Sequence, residues 1–231
     1  IFIKIKFKDL KMKKVLLLIL AGMFAASSVL AQPSFTIGVG LNQGVFAAEG
    51  KEENFDESGS LKTQTSEYGA FADSYASLYV ELGNETASLG LSYQGDVATP
   101  TNINETNGND GGSSTATSTV SAEFESVYTL YGLVKLPKNI YVKGGIVFGD
   151  IVVNETQRSG NTYKDQDLEG YVLGLGYEHE VEAANIRLEL LGHAYDDVTT
   201  NNGVATSGNH NKIIVSDMIG ASAQISINKS F

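Results

Sequence analysis

The last thirteen residues, 219–231 (IGASAQISINKSF), alternate apolar and polar side chains and stop on a phenylalanine. Ile219, Ala221, Ala223, Ile225, Ile227 and Phe231 share one face, while Gly220, Ser222, Gln224, Ser226 and Asn228 share the other. A period of two marks a strand with one apolar and one polar face. The rhythm recurs in seven earlier segments, approximately 34–47, 68–83, 86–95, 120–136, 140–151, 168–181 and 186–196, and the last runs from 213 to 231. Tyr, Val, Ile, Leu and Gly dominate them, and none shows a convincing helical period. No segment after residue 31 is apolar enough for a transmembrane helix, so any passage through a membrane must use strands.

The connections carry the topology. Long polar stretches (48–67, 96–119, 152–167 and 197–212) follow the first, third, fifth and seventh segments, and short links (84–85, 137–139 and 182–185) follow the second, fourth and sixth. Long and short connections therefore lie at opposite ends of the strands, the asymmetry of transmembrane barrels. The faces agree from segment to segment. Phe35/Ile37/Val39/Leu41, Ala76/Leu78/Val80/Leu82 and Ile186/Leu188/Leu190 form expected lipid-facing sets. The opposite faces carry Gly38, Gly40, Gly170, Gly174 and Gly176, leaving room for Tyr75, Tyr79, Tyr131 and Tyr141 inside a lumen just wide enough for side chains. With no Trp in the chain, aromatic girdles must come from Tyr and Phe. The fold expected is an all-β, eight-stranded, antiparallel up-and-down transmembrane β-barrel.

The N-terminal region fits export. Lys11, Lys13 and Lys14 precede an apolar run from 15 to 26, and residues 27–31 (SSVLA) place Val29 and Ala31 at the −3 and −1 positions of a cleavage site. Residues 1–11 are expected to be upstream translated sequence, 12–31 a signal peptide and 32–231 the barrel. Cleavage removes six lysines and Asp9 from 16 basic and 27 acidic residues, leaving 10 against 26 and a net charge of −16. Such a surface repels phosphate, so no nucleic-acid partner is expected. The absence of cysteine removes disulfides, thiolate metal sites and cysteine nucleophiles.

Leader, eight strands, loop asymmetry and terminal phenylalanine together resemble the small OmpA-type outer-membrane β-barrel family, as do the segments IYVKGGIVFG (140–149) and YVLGLGY (171–177). The resemblance covers the barrel only, without a peptidoglycan-binding domain. It implies the outer membrane of a Gram-negative bacterium, contact with outer-membrane lipid and lipopolysaccharide, and a monomer. It also implies recognition of Phe231, Ile227 and Ile225 by the barrel-assembly machinery, with the last strand pairing with the first near residues 35–41. Lys229 departs from the apolar or aromatic residue the family prefers there; near the periplasmic rim it can snorkel to headgroups.

Parity points an ionisable set inward: Asp73, Glu81, Glu123, Glu125, Lys135, Lys143, Glu178, Arg187, Glu189 and His193. Charges in a narrow barrel are costly unless paired. Glu81, Lys143, Arg187 and Glu189 are expected to form a network in the lower lumen. It either plugs the barrel or gates a narrow pore, and an excess of acid would then favour cations. No enzyme is expected. The three histidines have no same-face serine at i+2, no G-x-S-x-G elbow exists, and His193 reads as a polar lumen residue. Asp165, Asp167 and Glu169, and Asn107, Asn109 and Asp110, lack the spacing of a calcium loop, so a solvated acidic rim, no metal and no cofactor are expected. The role expected is structural or surface-interactive, the alternatives being a cation-preferring channel and a soluble periplasmic lipocalin-like barrel with its apolar faces inside.

Overall fold

The computed structural model describes residues 33–56, 58–99, 102–106, 116–156, 163–202 and 210–231. Eleven strands follow in chain order: β1 (Ser34–Phe55), β2 (Leu61–Gly83), β3 (Ala87–Gln94), β4 (Val97–Ala98), β5 (Asn102–Thr106), β6 (Ala116–Lys135), β7 (Ile140–Thr156), β8 (Gln166–Val181), β9 (Ala184–Tyr195), β10 (Val198–Asn201) and β11 (Asn211–Ser230). Eight of them form an antiparallel ring in the order β1-β2-β3-β6-β7-β8-β9-β11, closed by β11 on β1. β4 and β5 add to β6, and β10 to β11. The eight expected segments are the eight staves. Closure pairs Thr36 with Ser230 and Leu41 with Ile225, and the Phe35 and Phe231 main chains exchange two hydrogen bonds. No edge is left at that seam.

The apolar faces point out. Along β1 burial alternates strictly from Thr36 to Gly44, with Phe35, Ile37, Val39 and Leu41 exposed. Leu41, Leu173 and Leu190 are each at least 67% exposed on the outer wall, where a transmembrane barrel carries its apolar band. That arrangement removes the lipocalin alternative, which needs the apolar faces inside. Tyr93, Tyr128 and Phe148 run side by side on the outer surface with ring centroids 5.2 and 5.7 Å apart, one arc of an aromatic girdle.

The short links are tight. Asn84 Oδ1 accepts the N–H groups of Thr86 and Ala87 at 2.8 and 2.9 Å, and Lys138 and Asn139 turn the next link at φ 67° and 62°. The long connections are less loop-like than expected. The β1–β2 ladder continues without a break through the stretch 48–67 to Asn54 opposite Thr63, and the Asp56 N–H meets the Ser60 carbonyl at 2.9 Å beyond its end. There Asp56 Oδ1 accepts from the Ser58 and Ser60 N–H groups at 2.9 and 3.0 Å, and Gly59 takes φ 79°. β4, β5 and β10 and the ends of β6 and β7 occupy parts of the other three. Above the bilayer neither face of a strand need be apolar, so alternation disappears while main-chain pairing continues.

Two bulges break the parity of the wall. Ser126 (φ 50°) interrupts the β6–β7 register between Glu125 and Tyr128, and Asp217 (φ 52°) lies at the shift between Ala47 and Glu49 in the β1–β11 ladder. Each inserts an unpaired residue that reverses the facing of what lies above it.

Candidate functional site

Small residues on the inner wall make space, and tyrosines fill it. Tyr79, Tyr131 and Tyr141 are buried, and each stands opposite a glycine of the neighbouring strand: Gly38, Gly90 and Gly176. Their hydroxyls reach polar partners. Tyr131 donates to Glu81 at 2.8 Å, Tyr141 donates to Glu189 at 2.7 Å, and Tyr79 shares a 3.1 Å hydrogen bond with Ser226.

Between these rings the structure brings Glu81, Lys143, Arg187 and Glu189 together, all at least 94% buried. Arg187 grips Glu81 with both terminal nitrogens, at 2.6 and 2.9 Å, and its Nε donates to Glu178. Lys143 donates to Glu189 at 2.9 Å and sits 4.1 Å from the centre of the Tyr131 ring. Lys135 reaches Glu178 at 3.5 Å. The network is thus two linked groups, not a direct Arg187–Glu189 pair. Its three carboxylates and three cations balance, and every charged group has a partner, which a low-dielectric lumen requires.

Glu123 and Glu125 do not join it. The Ser126 bulge turns them away and brings Ala122 and Phe124 inside, where they pack against Val127, Val147, Ile151, Leu168 and Val172. The acid excess expected of the lumen is therefore smaller by two carboxylates. Above the network the interior becomes an apolar vestibule lined by Phe46, Phe71, Val97, Phe124, Tyr195 and Met218. The Phe46, Phe71 and Phe124 rings stack in series, with centroids 5.5 and 6.3 Å apart.

His193 is buried between the two regions, with the Phe46 and Tyr195 rings beside it. Its Nε2 lies 2.9 Å from Ser222 Oγ, a cross-strand pair that spacing within one strand could not reveal. Gly220, two residues before Ser222, is the residue directly opposite His193, and that register was the missing information. The Nδ1 has no partner among the described residues, so no carboxylate orients the ring as an acyl-transfer site demands. No group of three or more metal-ligating side chains occurs among the described residues. Asp165 instead accepts the Val153 N–H at 3.1 Å, while 107, 109 and 110 lie outside the described residues.

At the rim Ile225, Ile227 and Phe231 lie exposed on the outer face, with Ile227 opposite Val39 on β1. Lys229 is exposed, and its Nζ sits 5.6 Å from the Phe231 ring centre. In the external hairpin the Tyr68 hydroxyl donates to Glu49 at 3.0 Å, which raises the phenol's pKa, and a hydrogen bond from Lys51 lowers that of Glu53.

No protein-family model matches the chain, and no curated protein does. Among solved structures the outer membrane protein OprG of Pseudomonas aeruginosa is similar at 13% identity and a TM-score of 0.50, covering 84% of this chain and 95% of that one. The attachment invasion locus protein Ail of Yersinia pestis matches at 8% identity and a TM-score of 0.35, covering 83% and 99%. Neisserial surface protein A matches at 7% identity and 0.37, covering 82% and 97%. The likeness to OprG shows the fold: this chain is a β-barrel of the outer-membrane type.

Proposed function

We propose that the chain is an integral barrel of a Gram-negative outer membrane, closed inside by its own side chains, with a structural or surface-interaction role. The carrying observation is the combination of an exposed apolar wall with a charge-balanced, tyrosine-filled lumen. Export through a cleaved leader, OmpA-type kinship, a monomeric state, contact with lipopolysaccharide, and insertion guided by Phe231, Ile227 and Ile225 belong to the same reading. A non-catalytic role belongs to the same reading. In cell fractions the protein should appear in the outer membrane, with heat-modifiable gel mobility; recovery in the soluble periplasm overturns the proposal.

A second reading makes Glu81, Lys143, Arg187 and Glu189 a gate. It is favoured by Arg187 holding two carboxylates at once, so the guanidinium can release Glu81 while keeping Glu178. Planar-bilayer recordings separate the two readings. A plug gives no unitary steps, and a gate gives steps that Arg187→Ala alters.

A further inference from the structure

The β1–β2 hairpin rises past the ring, and there β2 has a neighbour on one side only. β3 pairs with β2 no higher than Gln94 opposite Ser77, and the Gly95 N–H to Ala76 carbonyl bond at 2.8 Å is the last of that seam. The chain then turns to β6 through Val97 and Ala98.

The ladder tells which main-chain groups are left over. The Phe35 N–H bonds the Phe231 carbonyl and the Phe55 N–H bonds the His210 carbonyl, so odd residues of β1 address β11 and even residues address β2. Those even residues stand opposite Thr63, Thr65, Glu67, Gly69, Phe71, Asp73 and Tyr75. Gln64, Ser66, Tyr68, Ala70 and Ala72 therefore aim their N–H and C=O groups the other way. That is the parity of Ala76, whose carbonyl takes Gly95, and no partner for them occurs among the described residues. Ser74 shares the parity, but Asp73 Oδ1 accepts its N–H at 2.7 Å and ends the open stretch.

Exposed edges are ordinarily blunted by proline, lysine, bulges or covering loops. Here Lys62 stands at the tip and Asp73 at the base, and the stretch between (TQTSEYGAFA, 63–72) has one charge and no proline. Residues 61–70 are exposed on both faces, so the edge stands in water. The hairpin segment 49–69 holds six acidic residues against two lysines.

We propose that this edge takes an extended, basic peptide segment of a protein outside the cell as an added antiparallel strand. Main-chain bonds supply affinity in such augmentation, and the acidic hairpin selects the charge of the guest. A second copy in the same membrane fits less well: an axis along the membrane normal sets the two β2 strands parallel, the weaker ladder. The inference rests on the surface-interaction reading above and names its partner class.

The test is amide hydrogen exchange on the full refolded chain in lipid nanodiscs, with acetyl-TKTKTKTK-amide as probe. Without peptide, the amides of Gln64, Ser66, Tyr68 and Ala70 exchange at least about tenfold faster than those of Thr65, Glu67 and Gly69. With peptide they slow by a similar factor, while TETETETE leaves them unchanged. Ser66→Pro removes an outward N–H and no bond to β1, and it abolishes the protection. The same peptide N-methylated at alternate residues loses binding to the unaltered protein, which keeps the test independent of how the variant folds. The idea is overturned if the even-numbered amides are already slow, if the cationic peptide changes nothing, or if protection follows protein concentration, the mark of a second copy. A protein found in the outer membrane whose amides ignore the peptide refutes this inference alone; a soluble protein refutes the reading beneath it.

Discussion

Tyr131 lies across Gly90, the residue directly opposite it on β3: a Cβ at Gly90 would meet Tyr131 Cζ at 2.3 Å. Gly38 under Tyr79 and Gly176 under Tyr141 repeat the arrangement, each with a virtual Cβ 2.1 Å from the ring. Any side chain there must displace a tyrosine that fills the lumen. Gly90→Ala should destabilise the barrel by about 1–3 kcal/mol, the usual range for overpacking. Urea titration in lipid vesicles measures it, and Tyr131→Leu in the same chain should recover part of the loss.

Removing Arg187 strands two carboxylates. Arg187→Ala should cost about 3–5 kcal/mol, the cost of breaking a buried pair from one side. Adding Glu81→Gln should restore some stability by neutralising the buried charge, which equilibrium unfolding of the single and double variants reads directly. If the network is a plug that only fills space, conductance in planar bilayers stays at background in both.

The outer wall offers a contrast between lipid and water. Leu190 is 69% exposed on the ring, and Leu61 is 51% exposed on the hairpin above it. Leu190→Arg should lower folding free energy into vesicles by about 2–4 kcal/mol if it lies near the midplane. Leu61→Arg should be close to neutral, and equal costs at both positions would argue against a membrane around the ring.

Acid should loosen the hairpin tip. Asp56 has its pKa lowered, first by the hydrogen bond from the Ser58 hydroxyl and then by the Ser60 N–H. A depressed pKa means stability present above the unfolded value of about 3.9 and lost as pH falls through the lower folded value. The turn should hold its geometry at neutral pH and open in that acidic window while the ring stays intact. The amide shifts of Ser58 and Ser60 report it, and Asp56→Ala should show the open shifts at all pH values.

What the sequence disclosed followed what the bilayer demands. A lipid-facing wall tolerates no lapse in alternation, so strands such as β1 from Phe35 to Leu41 and β9 from Ile186 to Leu190 were legible residue by residue. The inward parity of Glu81, Lys143, Arg187 and Glu189 came from the same rule. Who pairs with whom did not, because partners depend on ladder register; Glu178 as the second carboxylate on Arg187 and Ser222 beside His193 both arise across strands. The hairpin above residue 48 was hidden because water on both sides leaves no pattern to read. The Ser126 bulge was hidden too, since serine carries no glycine or asparagine signature for its positive φ, whereas Asp217 on an otherwise lipid-facing row already pointed to the other.

That unpaired serine has an evolutionary reading. Beneath it the inner and outer assignments of β6 are held by lipid and by the charge network; above it they run in the opposite phase. Drawing Ser126 into the ladder as an ordinary paired residue would swap Ala122 and Phe124 for Glu123 and Glu125 on the vestibule wall without changing any facing below. Deleting Ser126 keeps Glu125 opposite Asp150 and Phe124 opposite Ile151, so the apolar chamber survives loss of that residue and turns acidic only when the bulge is ironed out with its length kept.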